Sequence, residues 1–296
     1  MEYIPAKTII TKTKNAAWFG NDYTMNIYKG CCHGCIYCDS RSDCYGVEDF
    51  DRVRAKKDAL QIIRDELRRK TRTGVIGTGA MSDPYNPFEE DLKLTRHALE
   101  LINAFEFGVT IATKSTLLAR DIDILKEIQE HSPILCKITI TTVEDTLSRK
   151  IEPRVASSSK RFELLQELSE QGIPAGILMM PVLPFLEDSK ENVLGIVEKA
   201  HEAGAKFIYP AFGMTLRQNQ RIWYLNQLEE LFPKEHLAQL YTEKYGNRYQ
   251  CTSLKARQLW TYFKESCQNY GILYNMKDII HFYKRNYEVT QMSLFE

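Results

Sequence analysis

YKGCCHGCIYCDSR, residues 28–41, decides how this chain of 296 residues is to be read. It carries Cys31, Cys35 and Cys38 in the spacing C-x3-C-x2-C, with Cys32 and Cys44 close by, and the strand-like run YTMNIYKG at 23–30 leads into it. Three thiolates this close on one loop can take three corners of an iron–sulfur cubane and leave the fourth iron open to a small molecule. The competing arrangement is a structural zinc, which has no open position and needs a fourth ligand, supplied by Cys32 or Cys44. His33, between the cysteines, is placed to shape the loop and donate a hydrogen bond to sulfur, and Gly30 and Gly34 suit tight turns. Tyr37 offers either buried packing or a flat face for an aromatic cofactor ring.

Outward from this loop the chain alternates. Helices are predicted over 55–69 and 87–106, the second started by Asn86 as cap, Pro87 in the first turn and Glu89 as capping-box acceptor. Apolar runs at 74–79, 108–114, 134–142, 173–184 and 205–212 alternate with further helical patterns. Six near-continuous apolar strands, each followed by a loop or helix, predict an α/β fold with a parallel sheet covered by helices. The alternation stops near residue 213, too early for a closed barrel of eight strands. The predicted organisation is an N-terminal extension over 1–20, an α/β unit over 21–213, a mainly helical extension over 214–285 and a flexible tail over 286–296.

The balance of 39 basic and 39 acidic residues gives no whole-chain argument for a nucleic-acid or membrane partner. No apolar run approaches the length of a membrane span, and the N-terminus lacks the continuous apolar stretch of a signal peptide, so a cytoplasmic protein is expected. In that compartment eight cysteines point to metal ligation rather than disulfides. The charge is unevenly spread: between Tyr241 and Tyr287 eight Lys and Arg stand against three acids, among eleven aromatic residues. Rings interleaved with cations suit a sequence-tolerant nucleic-acid surface, although many of them must seal the open side of the sheet.

The cysteine triplet at the end of a first strand, ahead of a six-strand alternation, resembles the radical S-adenosylmethionine (SAM) superfamily. YIPAKTIITKT, SDPYNPFE, IATKSTLLARDIDIL, IEPRVASSSKR and MMPVLPFLED resemble successive blocks of its spore photoproduct lyase-related, DNA repair photolyase-like branch, and together cover about residues 3 to 190. The resemblance implies a partial (β/α)6 TIM-type barrel in which Cys31, Cys35 and Cys38 hold a [4Fe-4S] cluster whose unique iron is chelated by SAM. It further implies reductive cleavage of SAM to a 5'-deoxyadenosyl radical that takes hydrogen from a substrate, with a flavodoxin or ferredoxin-type electron donor. Two departures stand out. The block GAMSD, Gly79 to Asp83, lacks the cysteine with which spore lyases return a hydrogen atom, leaving Tyr85 or another group for that role, and Asp39 stands where relatives often have an aromatic residue.

Besides Tyr37, the residues expected at SAM are Gly79, Ser82, Asp83, Lys114 and Thr139. Asp83 or nearby backbone carbonyls would meet the ammonium, Lys114 the carboxylate, and Thr139 the ribose. Glu152 and Arg161 are expected to position the nucleoside or to fix a loop. At the far end QMSLF, Gln291 to Phe295, resembles the short peptides by which bacterial repair proteins attach to the sliding clamp. The expected function is therefore radical SAM chemistry on DNA or a nucleic-acid component. The alternatives are radical SAM chemistry on a peptide or small metabolite, and a non-enzymatic metal-cluster protein that binds nucleic acid.

Overall fold

The computed structural model describes residues 1–287. Its strands are β1 (Glu2–Ile4), β2 (Ile10–Lys12), β3 (Tyr23–Met25), β4 (Tyr28–Lys29), β5 (Arg54–Lys56), β6 (Val75–Thr78), β7 (Gly108–Thr113), β8 (Ile134–Thr139), β9 (Ala175–Met179), β10 (Phe207–Pro210), β11 (Gly213–Thr215) and β12 (Gln250–Thr252). The main sheet runs β10-β9-β8-β7-β6-β3-β2. Its first six strands in that order are parallel, and β2 adds an antiparallel edge to β3. The result is a mixed α/β fold with a partial, barrel-like sheet whose two edges, β10 and β2, do not pair with each other.

Period-two alternation sorts the strand residues between two cores. On β8, Ile134, Cys136 and Ile138 join the large core beneath the covering helices. Leu135, one residue out of phase, joins Phe19, Val75, Leu178 and Phe207 in a second cluster on the inner side of the sheet. The inner face also admits the N-terminal segment: a Cβ on Gly77 would lie 2.3 Å from the Asn21 amide nitrogen, so only glycine lets Asn21 enter.

The structure departs from the sequence expectation at five places. The first predicted strand divides, β3 staying in the main sheet while β4 pairs with β5. Residues 55 and 56, expected as the start of a helix, instead join Arg54 in β5 between β1 and β4, so the helix begins at Ala59. The helix expected over 87–106 breaks at Lys93, whose φ is +52°. Glu89 is not a capping-box residue: its buried carboxylate accepts from the Thr95 backbone N–H at 2.8 Å, at the start of the next helix, and from the Tyr28 hydroxyl. The edge strand β2 has no apolar run to announce it.

Beyond β10 the chain forms helices Gln218–Leu231, Leu237–Tyr245, Ala256–Tyr270 and Met276–Lys284, with β11 and β12 paired as an antiparallel ribbon. This extension is tied to both sides of the opening. At the β10 edge, the Ile208 N–H donates to the Leu273 carbonyl at 2.9 Å. The helix Met276–Lys284 then returns to the N-terminal segment, where the Tyr283 hydroxyl donates to the Phe19 carbonyl at 2.7 Å. Among the described residues no helix is long and apolar enough to cross a membrane. The Gln291–Phe295 segment lies outside the described residues.

Candidate active site

The cysteine loop leaves β4 and is held from outside by the turn that follows the helix Asp145–Ile151. The Ile36 N–H donates to the Ile151 carbonyl at 3.0 Å, the Arg154 N–H to His33 at 3.2 Å, and the Arg154 guanidinium to the Cys32 carbonyl at 3.3 Å. Behind these bonds Glu152 and Arg161 form an ion pair with side-chain exposures of only 1% and 0%. The Tyr37 hydroxyl donates to Glu152, and Arg161 donates to Ser148 Oγ at 2.8 Å and to the Thr139 carbonyl at 2.6 Å. Of the two roles open to Glu152 and Arg161, the geometry supports the fixing of a loop: they join the cysteine loop to the end of β8.

The Cys31 and Cys38 thiolates oppose ionisation of Cys35, and Cys31 opposes that of Cys38. Burial raises the Cys35 and Cys38 thiols above their ordinary value, with the Lys114 ammonium pulling in the other direction. Burial also works against the Cys31 thiolate, but the hydrogen bond and charge of His33 outweigh it and bring Cys31 below its ordinary value. His33 is buried, with Nδ1 3.5 Å from Asp83 Oδ2, so Asp83, His33 and Cys31 form a carboxylate–imidazole–thiol relay of the kind that orients metal ligands. Among the described residues no three His, Cys, Asp or Glu side chains converge on one point as the ligands of a single ion must. Three thiolates on one loop are the donor set that a [4Fe-4S] cluster would take, one on each of three irons. Cys44 is exposed, next to Arg217.

Asp83 is engaged with the protein. Its carboxylate accepts from the Tyr85 N–H at 2.9 Å, from Thr113 Oγ1 at 2.7 Å and from the Lys114 N–H at 2.8 Å, pinning the loop after β6 to the end of β7. Ser82 donates to the Tyr28 carbonyl at 3.0 Å. What this loop presents to the barrel interior is therefore the stretch Thr78–Ala80. Gly79 is indispensable there: its φ is +91°, and a Cβ would stand 2.0 Å from the Ala112 carbonyl oxygen. Lys114 lies beside the cysteines, with its Nζ 5.7 Å from the centre of the Tyr37 ring. Burial opposes its charge, but Cys35, Glu152 and Asp83 hold the ammonium above its ordinary value. Thr139 is buried on the same face of β8 as Lys137. Tyr85 is buried and its hydroxyl is spent on Asp121 at 3.0 Å.

These elements surround a cavity of about 680 Å³ in the barrel interior, within the range usual for small-molecule sites. Tyr37, Cys38 and Gly79 lie on one part of its wall, Met180 and Pro181 on another, and β11 and β12 close a third side. Asp39 joins the cysteine loop to the extension, accepting from Thr215 Oγ1 at 3.0 Å, from the Arg217 guanidinium at 3.1 Å and from the Tyr45 hydroxyl at 2.6 Å. The Gln220 amide donates to the Tyr37 carbonyl at 3.3 Å. Many of the extension's rings are core, including Tyr241, Tyr245 and Phe263. Tyr249, Trp260 and Tyr270 are exposed. Tyr249, Lys244 and Arg248 line a second depression that shares Gln250 and Thr252 with the cavity. Sequence reasoning passed over Asn21 and Lys137, which line the cavity's floor, and Thr110, which bonds to both; the alternation within ILCKITITT, which places a lysine on the face opposite the isoleucines, was the available signal.

A sheet of parallel strands carrying a three-cysteine loop at their carboxyl ends defines a class, and comparison with known proteins gives the family. Residues 25–196, more than half of the chain, match the radical SAM superfamily, and the protein belongs to it. It is an enzyme of the radical SAM kind. An uncharacterized protein of Mycobacterium tuberculosis is 30% identical over 246 residues, covering 81% of this chain and 72% of its own length. An uncharacterized protein of Methanocaldococcus jannaschii is 35% identical over 194 residues, 65% of this chain and 71% of the relative. Among solved structures, a single-site mutant of spore photoproduct lyase superposes with a TM-score of 0.67 at 13% identity, covering 92% of this chain and 81% of that one. The same lyase complexed with dinucleoside spore photoproduct gives 0.64 at 14% identity, covering 91% and 80%. At these identities the likeness is one of fold.

Proposed function

We propose that this enzyme performs radical SAM chemistry on DNA or a nucleic-acid component, with the substrate entering between the barrel and its C-terminal extension. The observation that carries the proposal is the shared wall: the cavity that reaches Cys38 is bounded by the same ribbon, through Gln250 and Thr252, that carries the exposed Arg248 and Tyr249. A cation and a stacking ring at the mouth of a small-molecule cavity suit a nucleotide led in from a strand. The fold shared with a lyase described in complex with a dinucleoside supports the same reading.

When bound, the [4Fe-4S] cluster and SAM supply a reductively generated 5'-deoxyadenosyl radical able to take a hydrogen atom. The chain's own part is positioning. Cys31, Cys35 and Cys38 hold the cluster, His33 and Asp83 orient Cys31, and Lys114 places an ammonium where the SAM carboxylate can pair with it. The stretch Thr78–Ala80 gives SAM a backbone edge, Tyr37 a ring and Thr139 a polar contact. The ribbon of β11 and β12 walls one side of the cavity. With no cysteine between Gly79 and Asp83, and with the Tyr85 hydroxyl committed to Asp121, the spore lyase manner of returning hydrogen is not carried over. A flavodoxin or ferredoxin-type reductant would supply the electron. The Gln291–Phe295 segment, on its sequence alone, would tether the enzyme to the sliding clamp.

The test is anaerobic incubation of reduced holoenzyme with SAM and uniformly deuterated oligonucleotides, native or ultraviolet-irradiated. Deuterium in 5'-deoxyadenosine, lost in Cys35→Ala, is the expected result. Cleavage of SAM with no transfer from any oligonucleotide, but transfer from a deuterated peptide or metabolite extract, would overturn the substrate assignment.

A further inference from the structure

We propose that Lys137, with Thr110 and Asn21, forms a recognition station at the floor of the barrel cavity that takes an anionic oxygen group, carboxylate or phosphate, carried by the substrate. The inference rests on the reading of this cavity as the substrate chamber. Lys137 lies mid-strand on β8, on the inner face, in register with Ala112 of β7 and Gly176 of β9. Ala112 and Gly176 flank it, and the Phe207 ring packs over Gly176. It is 3% exposed, and its Nζ donates to Thr110 Oγ1 at 2.9 Å while Thr110 Oγ1 donates to Asn21 Oδ1 at 2.8 Å. The ammonium also stands 4.7 Å from the centre of the Phe19 ring.

Around the cavity, among the described residues, Lys137 is the one cationic side chain and Asp39 the one carboxylate, and Asp39 is already paired with Arg217. The other titratable groups nearby are satisfied or turned away. Cys136 faces the helices, the Tyr283 hydroxyl is spent on the Phe19 carbonyl, and Lys284 bonds the Gly20 carbonyl and stands 3.6 Å from Asp22. A buried ammonium without a counter-charge is costly, and the cost shows as a fall from the ordinary 10.5 to about 7 through burial. An incoming anion would restore the charged form and be held by it. A lysine kept only to fill the barrel would show no preference between an anion and a neutral molecule of the same shape.

The probes are benzoate, phenyl phosphate and, as the neutral control, benzyl alcohol, titrated calorimetrically into anaerobic holoenzyme. The wild type is expected to bind at least one of the anions about tenfold or more tighter than benzyl alcohol at pH 6.5, which also tells carboxylate from phosphate. Affinity for benzoate, if it is the anion bound, is expected to weaken about tenfold or more between pH 6 and pH 9. Lys137→Met and Lys137→Gln should abolish both the preference and the pH dependence while retaining benzyl alcohol binding. Equal affinity for anion and alcohol in the wild type, absence of binding by any probe, or an unchanged anion preference in a folded variant would overturn the proposal. Because SAM cleavage is measured on the same wild-type preparation, anion preference without SAM cleavage would sink the functional reading alone, and SAM cleavage without anion preference would sink this one alone.

Discussion

Lys114 illustrates how much of a residue's role is set by its neighbours. A lysine at the end of a strand is ordinarily solvated, but here it stands among Cys35, Glu152 and Asp83, which hold its charge against burial. Lys114→Met is expected to weaken SAM binding about 10 to 150 fold, the equivalent of about 1.5 to 3 kcal/mol for a charge-assisted contact. Anaerobic calorimetric titration of wild type and variant checks this; an unchanged dissociation constant would remove Lys114 from the SAM site. Asp83 carries the opposite lesson. The sequence reading sets it against the SAM ammonium, and in the fold it is a hub that accepts three hydrogen bonds and steadies His33.

At the scale of elements, the cysteine loop has little regular structure of its own and takes its shape from the turn over residues 151–154 and from the helix Gln218–Leu231. The buried Glu152–Arg161 pair is the link whose loss should be most visible, since removing one partner strands the other charge. Glu152→Gln should lower stability by about 3 to 5 kcal/mol. Tyr37→Phe, which removes only one donor to that carboxylate, should cost about 1.5 to 3 kcal/mol. Both variants are expected to bind less iron per chain, Glu152→Gln the less of the two. Urea midpoints and iron analysis after anaerobic reconstitution check the order, and full iron occupancy in Glu152→Gln would show that the loop does not depend on this cradle.

For the whole molecule, two buried groups give stability a pH dependence of opposite sign. Burial raises Glu187 from its ordinary 4.5 to about 8. Between those values the folded chain keeps a proton that the unfolded chain releases, so rising pH favours unfolding. Lys137 is lowered from 10.5 to about 7. Between those values the unfolded chain binds a proton that the folded chain has released, so rising pH favours folding. Stability is therefore expected to fall by a few kcal/mol from about pH 5 toward neutrality and to recover in part between about pH 8 and pH 9, above which the raised Cys136 and Cys267 thiols oppose the Lys137 limb. Denaturant unfolding at fixed pH should show Glu187→Gln flattening the acid limb and Lys137→Met the alkaline one; limbs that persist in both variants would refute the assignment.

The sequence by itself determined the elements whose signals are local. The spacing of Cys31, Cys35 and Cys38 depends only on residues a few positions apart, and six of the parallel strands read as apolar runs because both of their faces are covered. The helical character of the extension was legible in the same way. Only the tertiary structure decided what depends on partners distant in the chain. Residues 54–56 became a strand because β1 and β4 flank them, and Glu89 left the capping box because Tyr28 and Thr95 reach it. Glu152 and Arg161 proved to support the cysteine loop from more than a hundred residues away. Lys137 is a single charged residue in an apolar strand until β7, β9 and the N-terminal segment surround it and make it the floor of a cavity. Local pattern specifies which surface each element buries, whereas the electrostatic state of a side chain is set by everything packed around it.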